Sequence, residues 1–183
     1  VFNGREMVHT IVPEFDERRT RRIRILWEGS EYRGRGRQTI WDGSLTVQGN
    51  AIQRVVPINW WNLDKPLNLI DSNHLEWGYL TTGGFGGVEI WFEQTSGGTI
   101  SLATDLIKKA IAIDDIGRDE MVFEAGGLSR RIKLFRLPEV NQTEAVSQTV
   151  AVELNKGRDN PIYIRARTED GHLCWSSPVY LID

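Results

Sequence analysis

The residues in this chain with side chains suited to chemistry or binding are its aromatics and its arginines. Side chains alternate between the two faces of a strand. Trp91 therefore shares a face with Glu89 and Glu93, and not with Val88, Ile90 and Phe92. Trp61 and Tyr163 likewise fall on the less apolar faces of their segments. Flat rings beside carboxylates suit sugar rings, whose C–H faces are apolar and whose hydroxyls need acceptors. The same rings serve equally well as a surface covered by a second layer or a neighbouring domain. The arginines are Arg18, Arg19, Arg21, Arg22, Arg24, Arg33, Arg35 and Arg37, close together in sequence. The run Arg33-Gly34-Arg35-Gly36-Arg37 has the form of a phosphate- or RNA-binding tract. It is one short copy with Glu28 and Glu31 beside it, so pairing with carboxylates, here or on an adjacent domain, is its expected use. Trp61, Trp91, Tyr163, Arg33, Arg35 and Arg37 are thus the candidate ligand or interdomain contacts, with no catalytic, cofactor-binding or metal residue assigned.

Other chemistries find less material. The stretch Thr81–Glu89 is glycine-rich, but Glu89 stands where a dinucleotide fingerprint needs glycine, and a strand follows instead of a helix. It reads as a hairpin or bulge. Asp64, Asp71, His74 and Glu76 form one acidic group, and Asp114, Asp115, Asp119 and Glu120 another; neither has EF-hand spacing. His172 and Cys174 share a strand face, yet their spacing does not by itself make a nucleophile–base pair. Cys174 is expected to be buried and inert. Asn141-Gln142-Thr143 fits a glycosylation acceptor pattern.

The elements that position these residues are legible in composition and period. The 183 residues are 40% apolar and 26% charged, the balance of one folded domain with its own core. There are 7 Trp, 18 Gly and a single Cys, which excludes an internal disulfide framework. The net charge of −3 gives no global field to recruit nucleic acid. No apolar run reaches the length a membrane helix needs. The chain begins at Val1, so upstream targeting signals are out of view and a longer or processed protein is expected.

From Arg21 onward the period is mostly two. Ile23, Ile25 and Trp27 alternate with Arg22, Arg24 and Leu26; Val56, Ile58 and Trp60 share one face; Leu75, Trp77 and Tyr79 another. Asp42-Gly43, Gly83-Gly84, Gly97-Gly98, Gly126-Gly127 and Asp170-Gly171 supply turns between the runs. The clearest hairpin joins Ile162–Thr168 to His172–Ser176. The stretch 102–116 fits helix or strand, with Thr104-Asp105 as a helix cap in the first case; its β neighbours favour strand. The reading is an all-β, antiparallel β-sandwich with tight Gly-rich hairpins: residues 1–20 as an N-terminal arm or linker, and 21–183 as one domain with Trp27, Trp60, Trp77, Ile25, Ile58 and Ile90 in its core.

Three segments carry a resemblance. They are Arg33–Arg37 leading into Trp41-Asp42-Gly43-Ser44-Leu45, Gly126-Gly127-Leu128 leading into Arg136-Leu137-Pro138, and the closing Ile162–Pro178. Together, across roughly Arg21 to Leu181, the chain resembles the C-terminal β-rich region of large uncharacterised bacterial proteins. Those proteins carry, upstream, a metal-dependent phosphoesterase-like barrel of the polymerase-and-histidinol-phosphatase type. The resemblance implies a non-catalytic accessory module of a metal-dependent hydrolase. Its partner is the catalytic domain upstream in the same chain, where the metal ligands belong, so no cofactor is expected in this fragment. A carbohydrate-binding module is the alternative; a membrane partner is not expected, and nucleic acid is disfavoured.

Overall fold

The computed structural model describes residues 1–12, 15–35, 37–139, 145–168 and 172–182. The Asn141-Gln142-Thr143 triplet, Gly36 and the Asp170-Gly171 turn lie outside the described residues. The chain divides into two compact units, Val1–Glu14 with Asn141–Asp183, and Phe15–Val140.

Strands are numbered along the chain. In the terminal unit β1 (Phe2–Asn3), β2 (Glu6–Met7), β15 (Asn160–Tyr163) and β18 (Val179–Leu181) form a sheet in the order β18-β15-β1-β2. Residues 1–20, expected as an arm, therefore supply two strands to a sheet. Phe2 lies opposite Tyr163 and their rings stack 5.2 Å apart at 11°. Asn3 Nδ2 donates to Oδ1 of the fully buried Asn160 at 3.0 Å. The expected closing hairpin is present as β16 (Arg165–Arg167) paired with β17 (Leu173–Trp175). Cys174 on it is exposed, not buried, because this ribbon pairs only within itself.

The larger unit holds two five-stranded antiparallel sheets. The first runs β13 (Met121–Glu124), β14 (Leu128–Leu137), β3 (Arg22–Ser30), β10 (Phe85–Phe92), β6 (Ile52–Ile58). The second runs β12 (Lys108–Ala112), β11 (Thr99–Thr104), β5 (Gly43–Gln48), β8 (His74–Trp77), β7 (Leu67–Asp71). A two-stranded ribbon pairs β4 (Thr39–Ile40) with β9 (Leu80–Thr81). The stretch that fitted helix or strand is the β11–β12 hairpin plus a single 3₁₀ turn, Ile113–Asp115. The Thr104 hydroxyl, a helix cap in the rejected case, accepts from the backbone N–H groups of Leu106 and Ile107 and so holds the hairpin turn.

Alternation turns one face of each sheet inward. Ile23, Ile25, Trp27, Val88, Ile90, Ile132 and Leu134 from the first sheet meet Leu45, Val47, Leu75, Trp77, Ile100 and Leu102 from the second in one core. That is a β-sandwich. Trp27 and Trp77 stack across the layers at 5.2 Å and 4°. One expectation for the core shifts, and one residue joins it. Ile58 pairs with Gly87 on the outer face of the first sheet, whereas Val55, paired with Ile90, packs on the core. Trp41, not assigned to the core from sequence, is fully buried, with its indole N–H donating to the Thr81 hydroxyl at 2.9 Å.

The outer face of the first sheet is not a wet face. Glu89 sits directly across from Arg24, and the carboxylate takes hydrogen bonds from both Arg22 and Arg24. Arg24 and Glu89 are only 6% and 5% exposed. Arg22 and Arg54 lie over the Trp91 ring at 5.2 and 4.7 Å, and Arg24 lies near the Phe135 ring at 6.0 Å. The rings help to cover the charges, and each cation gains a π face.

Candidate functional site

Trp61 is the candidate that the fold presents to solvent. It is 62% exposed, beside Trp60, which is half-buried against the core. The difference begins at Asn59, which ends β6 in the left-handed conformation with φ 51°. Asparagine tolerates that region better than most side chains. The reversal is held by three bonds. The Tyr79 hydroxyl donates to the Asn59 carbonyl at 2.5 Å, Asn59 Nδ2 donates to the Phe85 carbonyl at 3.3 Å, and the Trp61 N–H donates to the Asn59 carbonyl at 2.9 Å. Trp60 is fixed by its indole N–H on the Lys65 carbonyl at 3.1 Å and by a tilted contact with Tyr79 at 4.8 Å.

These residues line a cleft of about 580 Å³ with Thr81, Thr82, Gly84 and Phe85. That volume is the size of a small-ligand site, and its wall is mainly aromatic with a few polar groups. Burial pushes the Tyr79 phenol above its ordinary range, opposed by a hydrogen bond from the Trp61 side chain. At neutral pH the phenol is a neutral donor already committed to a backbone carbonyl. What remains for a ligand is the exposed Trp61 ring, the Phe85 edge and the threonine hydroxyl of Thr82. Such a set can stack on a sugar ring and hydrogen-bond its hydroxyls; it holds no nucleophile–base pair.

A second cleft, of about 800 Å³, shares Gly84 and Phe85 with the first. Arg33 and Arg37 line it, together with Glu28, Ser30 and the backbone of Gly83 and Gly127. Its shape comes from a β-bulge. Register slips between Leu128 and Arg131 where β14 passes the end of β3. Gly29, with φ 91°, allows the close approach: a Cβ there would collide with the Ser129 backbone. Ser129 is itself left-handed, with φ 55°.

A third cleft, about 840 Å³, gathers Glu17, Asp114, Asp115 and Arg136. The Arg136 guanidinium spends all three nitrogens on backbone carbonyls, those of Ile116, Thr20, Thr95 and Ile113, at 2.6 to 2.9 Å. Burial pulls it below its ordinary value while Asp114 and Glu17 oppose that. It ties together the segments at Thr20, at Thr95 and at 113–116, and each of its three nitrogens is already committed to a carbonyl. Glu17 accepts the Arg118 N–H and Asp114 accepts the Gly97 N–H.

The sequence candidates are thus separated. Trp61 lies in the aromatic cleft; Arg33 and Arg37 lie in the adjoining one; Arg35 is exposed and lines neither. Trp91 is half-buried under Arg22 and Arg54, so it does not extend Trp61 into an exposed row. Tyr163 belongs to the terminal unit, stacked on Phe2. Tyr79, Phe85 and Asn59 were not singled out in sequence. Tyr79 and Phe85 looked like core and turn residues, and only the Asn59 reversal brings them to Trp61. Among the described residues no group of three or more His, Cys, Asp or Glu side chains converges as a metal site would, and no helix is long and apolar enough to cross a membrane. Against protein-family models, curated proteins and solved structures, the chain finds no significant match.

Proposed function

We propose that this chain is a binding module that takes a saccharide in the cleft formed by Trp61, Trp60, Tyr79 and Phe85. The observation that carries this reading is the rigid presentation of an exposed tryptophan: Trp61 stands in solvent while Asn59, Trp60 and Tyr79 are locked behind it by hydrogen bonds and ring contacts. A preformed aromatic platform loses little conformational freedom on binding. The family resemblance supports the wider setting, an accessory part of a larger metal-dependent hydrolase whose chemistry is carried upstream. In that setting the module holds a polymer near the catalytic barrel.

The test is intrinsic tryptophan fluorescence titrated with a panel of soluble polysaccharides. Quenching or a blue shift is expected with at least one of them. Trp61→Ala should lose about tenfold or more in affinity, as central aromatic anchors do, with at most a small drop in unfolding midpoint, because the ring is exposed and gives up one hydrogen bond, to the Tyr79 phenol. Silence across the panel, or Trp61→Ala binding as well as the parent, sinks the reading. In that event Trp61 is better tested as a contact for the upstream domain, by co-purification of the two parts.

A further inference from the structure

The aromatic cleft and the arginine cleft share a wall, Gly84 and Phe85. Arg33 and Arg37 are exposed, and among the described residues neither makes an ion pair or a hydrogen bond. The one carboxylate lining their cleft, Glu28, is already held by Arg131 at 2.5 Å and by Lys133 at 3.3 Å. Glu31, in the same loop, is not among the lining residues. The charge that Glu28 could have set against the arginines is therefore spent, and the cleft keeps two uncompensated guanidinium groups. The Arg37 guanidinium lies alongside Gly83, whose φ of 104° needs glycine at that turn. Guanidinium forks match carboxylate and sulfate oxygens in geometry and charge.

We infer that the module selects acidic polysaccharides: a sugar ring sits on Trp61, and the carboxylate or sulfate of that ring or the next is held by Arg33 and Arg37. This rests on the saccharide reading of the Trp61 cleft and adds the ligand's charge. It also gives the Arg33–Arg37 run a use other than pairing with the protein's own acids. Phosphate of a nucleic acid would satisfy the arginines too, and the difference lies in the platform beside them. The neighbouring platform is one tryptophan wide, not the succession of rings that single strands use.

The experiment uses the full chain and matched polymer pairs: polygalacturonate with its methyl ester, and dextran sulfate with dextran. A single-stranded oligonucleotide is the control. Tighter binding is expected to at least one charged member than to its neutral partner, weakening as salt is raised. Arg33→Gln and Arg37→Gln should each lose about tenfold in affinity for the charged polymer, the scale of a charge-assisted hydrogen-bond pair, with the neutral partner unaffected. Which pair responds distinguishes carboxylate from sulfate. Both arginines are exposed, so folding should be unchanged, and circular dichroism checks that. Equal affinity for charged and neutral members, still lost in Trp61→Ala, overturns this inference and leaves the saccharide reading standing. No binding to any polymer overturns both. An oligonucleotide held more tightly than every acidic polymer, with the same arginine dependence, also overturns it and makes the cleft a nucleic-acid contact.

Discussion

Glu89→Gln should destabilise the sandwich by about 3 kcal/mol. The carboxylate receives Nε and Nη2 of Arg22 on one oxygen, at 2.9 and 2.7 Å, and Nε and Nη2 of Arg24 on the other. The arginine side chains are 11% and 8% exposed. Removing one member of a buried charge cluster costs about 3–5 kcal/mol, because the remaining charges stay buried without their counterion. Glutamine preserves the shape and one acceptor oxygen, which places it at the lower end. For a unit the size of Phe15–Val140, that corresponds to a fall of roughly 10 °C in melting temperature. Urea unfolding followed by tryptophan fluorescence reads the loss as a lower midpoint at constant slope. The triple replacement Arg22→Met, Arg24→Met, Glu89→Leu should recover most of it, since a packed apolar cluster can equal a buried ion network. A Glu89→Gln protein within about 1 kcal/mol of the parent refutes the reasoning, and the covered charges would then be hydrated in solution.

Gly86→Ala should disrupt the aromatic cleft rather than the strand that carries it. A Cβ at Gly86 falls inside the Tyr79 ring, so Tyr79 has to leave Asn59; the expected readouts are weaker saccharide binding and a red-shifted emission, and unchanged spectra and binding would contradict this. The Arg21 guanidinium lies on Glu139, Nε to Oε1 at 2.7 Å, and holds that carboxyl below its usual range. A lowered folded pKa means the pair adds stability above the ordinary carboxylate pKa and loses it as pH falls through the lowered value. The gap in melting temperature between the parent and Glu139→Gln should therefore be present at neutral pH and close in acid; a gap that stays constant to low pH counts against it.

The fold class was legible because β3 and β10 sit at the centre of their sheet. There, a strict alternation of Ile23, Ile25, Trp27 and of Val88, Ile90, Phe92 leaves one choice of inward face. Where both faces are part-buried, alternation fails as a guide. Val55 and Val56 are both half-buried, and only the pairing of Val55 with Ile90 shows which one meets the core. Trp41 was not legible as a core residue because it lies just outside β4 and is buried by a backbone bond to Tyr79 and by Thr81, neither of which is local. The candidate site was half legible. The exposure of Trp61 follows from phase and that of Arg33 and Arg37 from glycine spacing, although the acids beside the arginines pointed to pairing with carboxylates. Their neighbourhood does not, since it depends on one left-handed asparagine and on a register slip in a strand about a hundred residues away in sequence.

The chain enters and leaves the sandwich at adjacent points. Thr20 donates its hydroxyl to the Leu137 carbonyl, Arg21 holds Glu139, and Arg22 Nη1 reaches the Pro138 carbonyl at 3.0 Å. This has a consequence for the order of assembly. The sheet of the terminal unit needs Phe2 to find Tyr163 across nearly the whole chain. Closing so long a flexible loop costs about 4–5 kcal/mol in chain entropy. Once the sandwich has folded, most of that loop is already closed, and only the short tails beyond Thr20 and Glu139 have to search for each other. The sandwich thus acts as a clasp that lets distant ends behave as a local hairpin, and the terminal sheet becomes the last structure to form and the first to be lost.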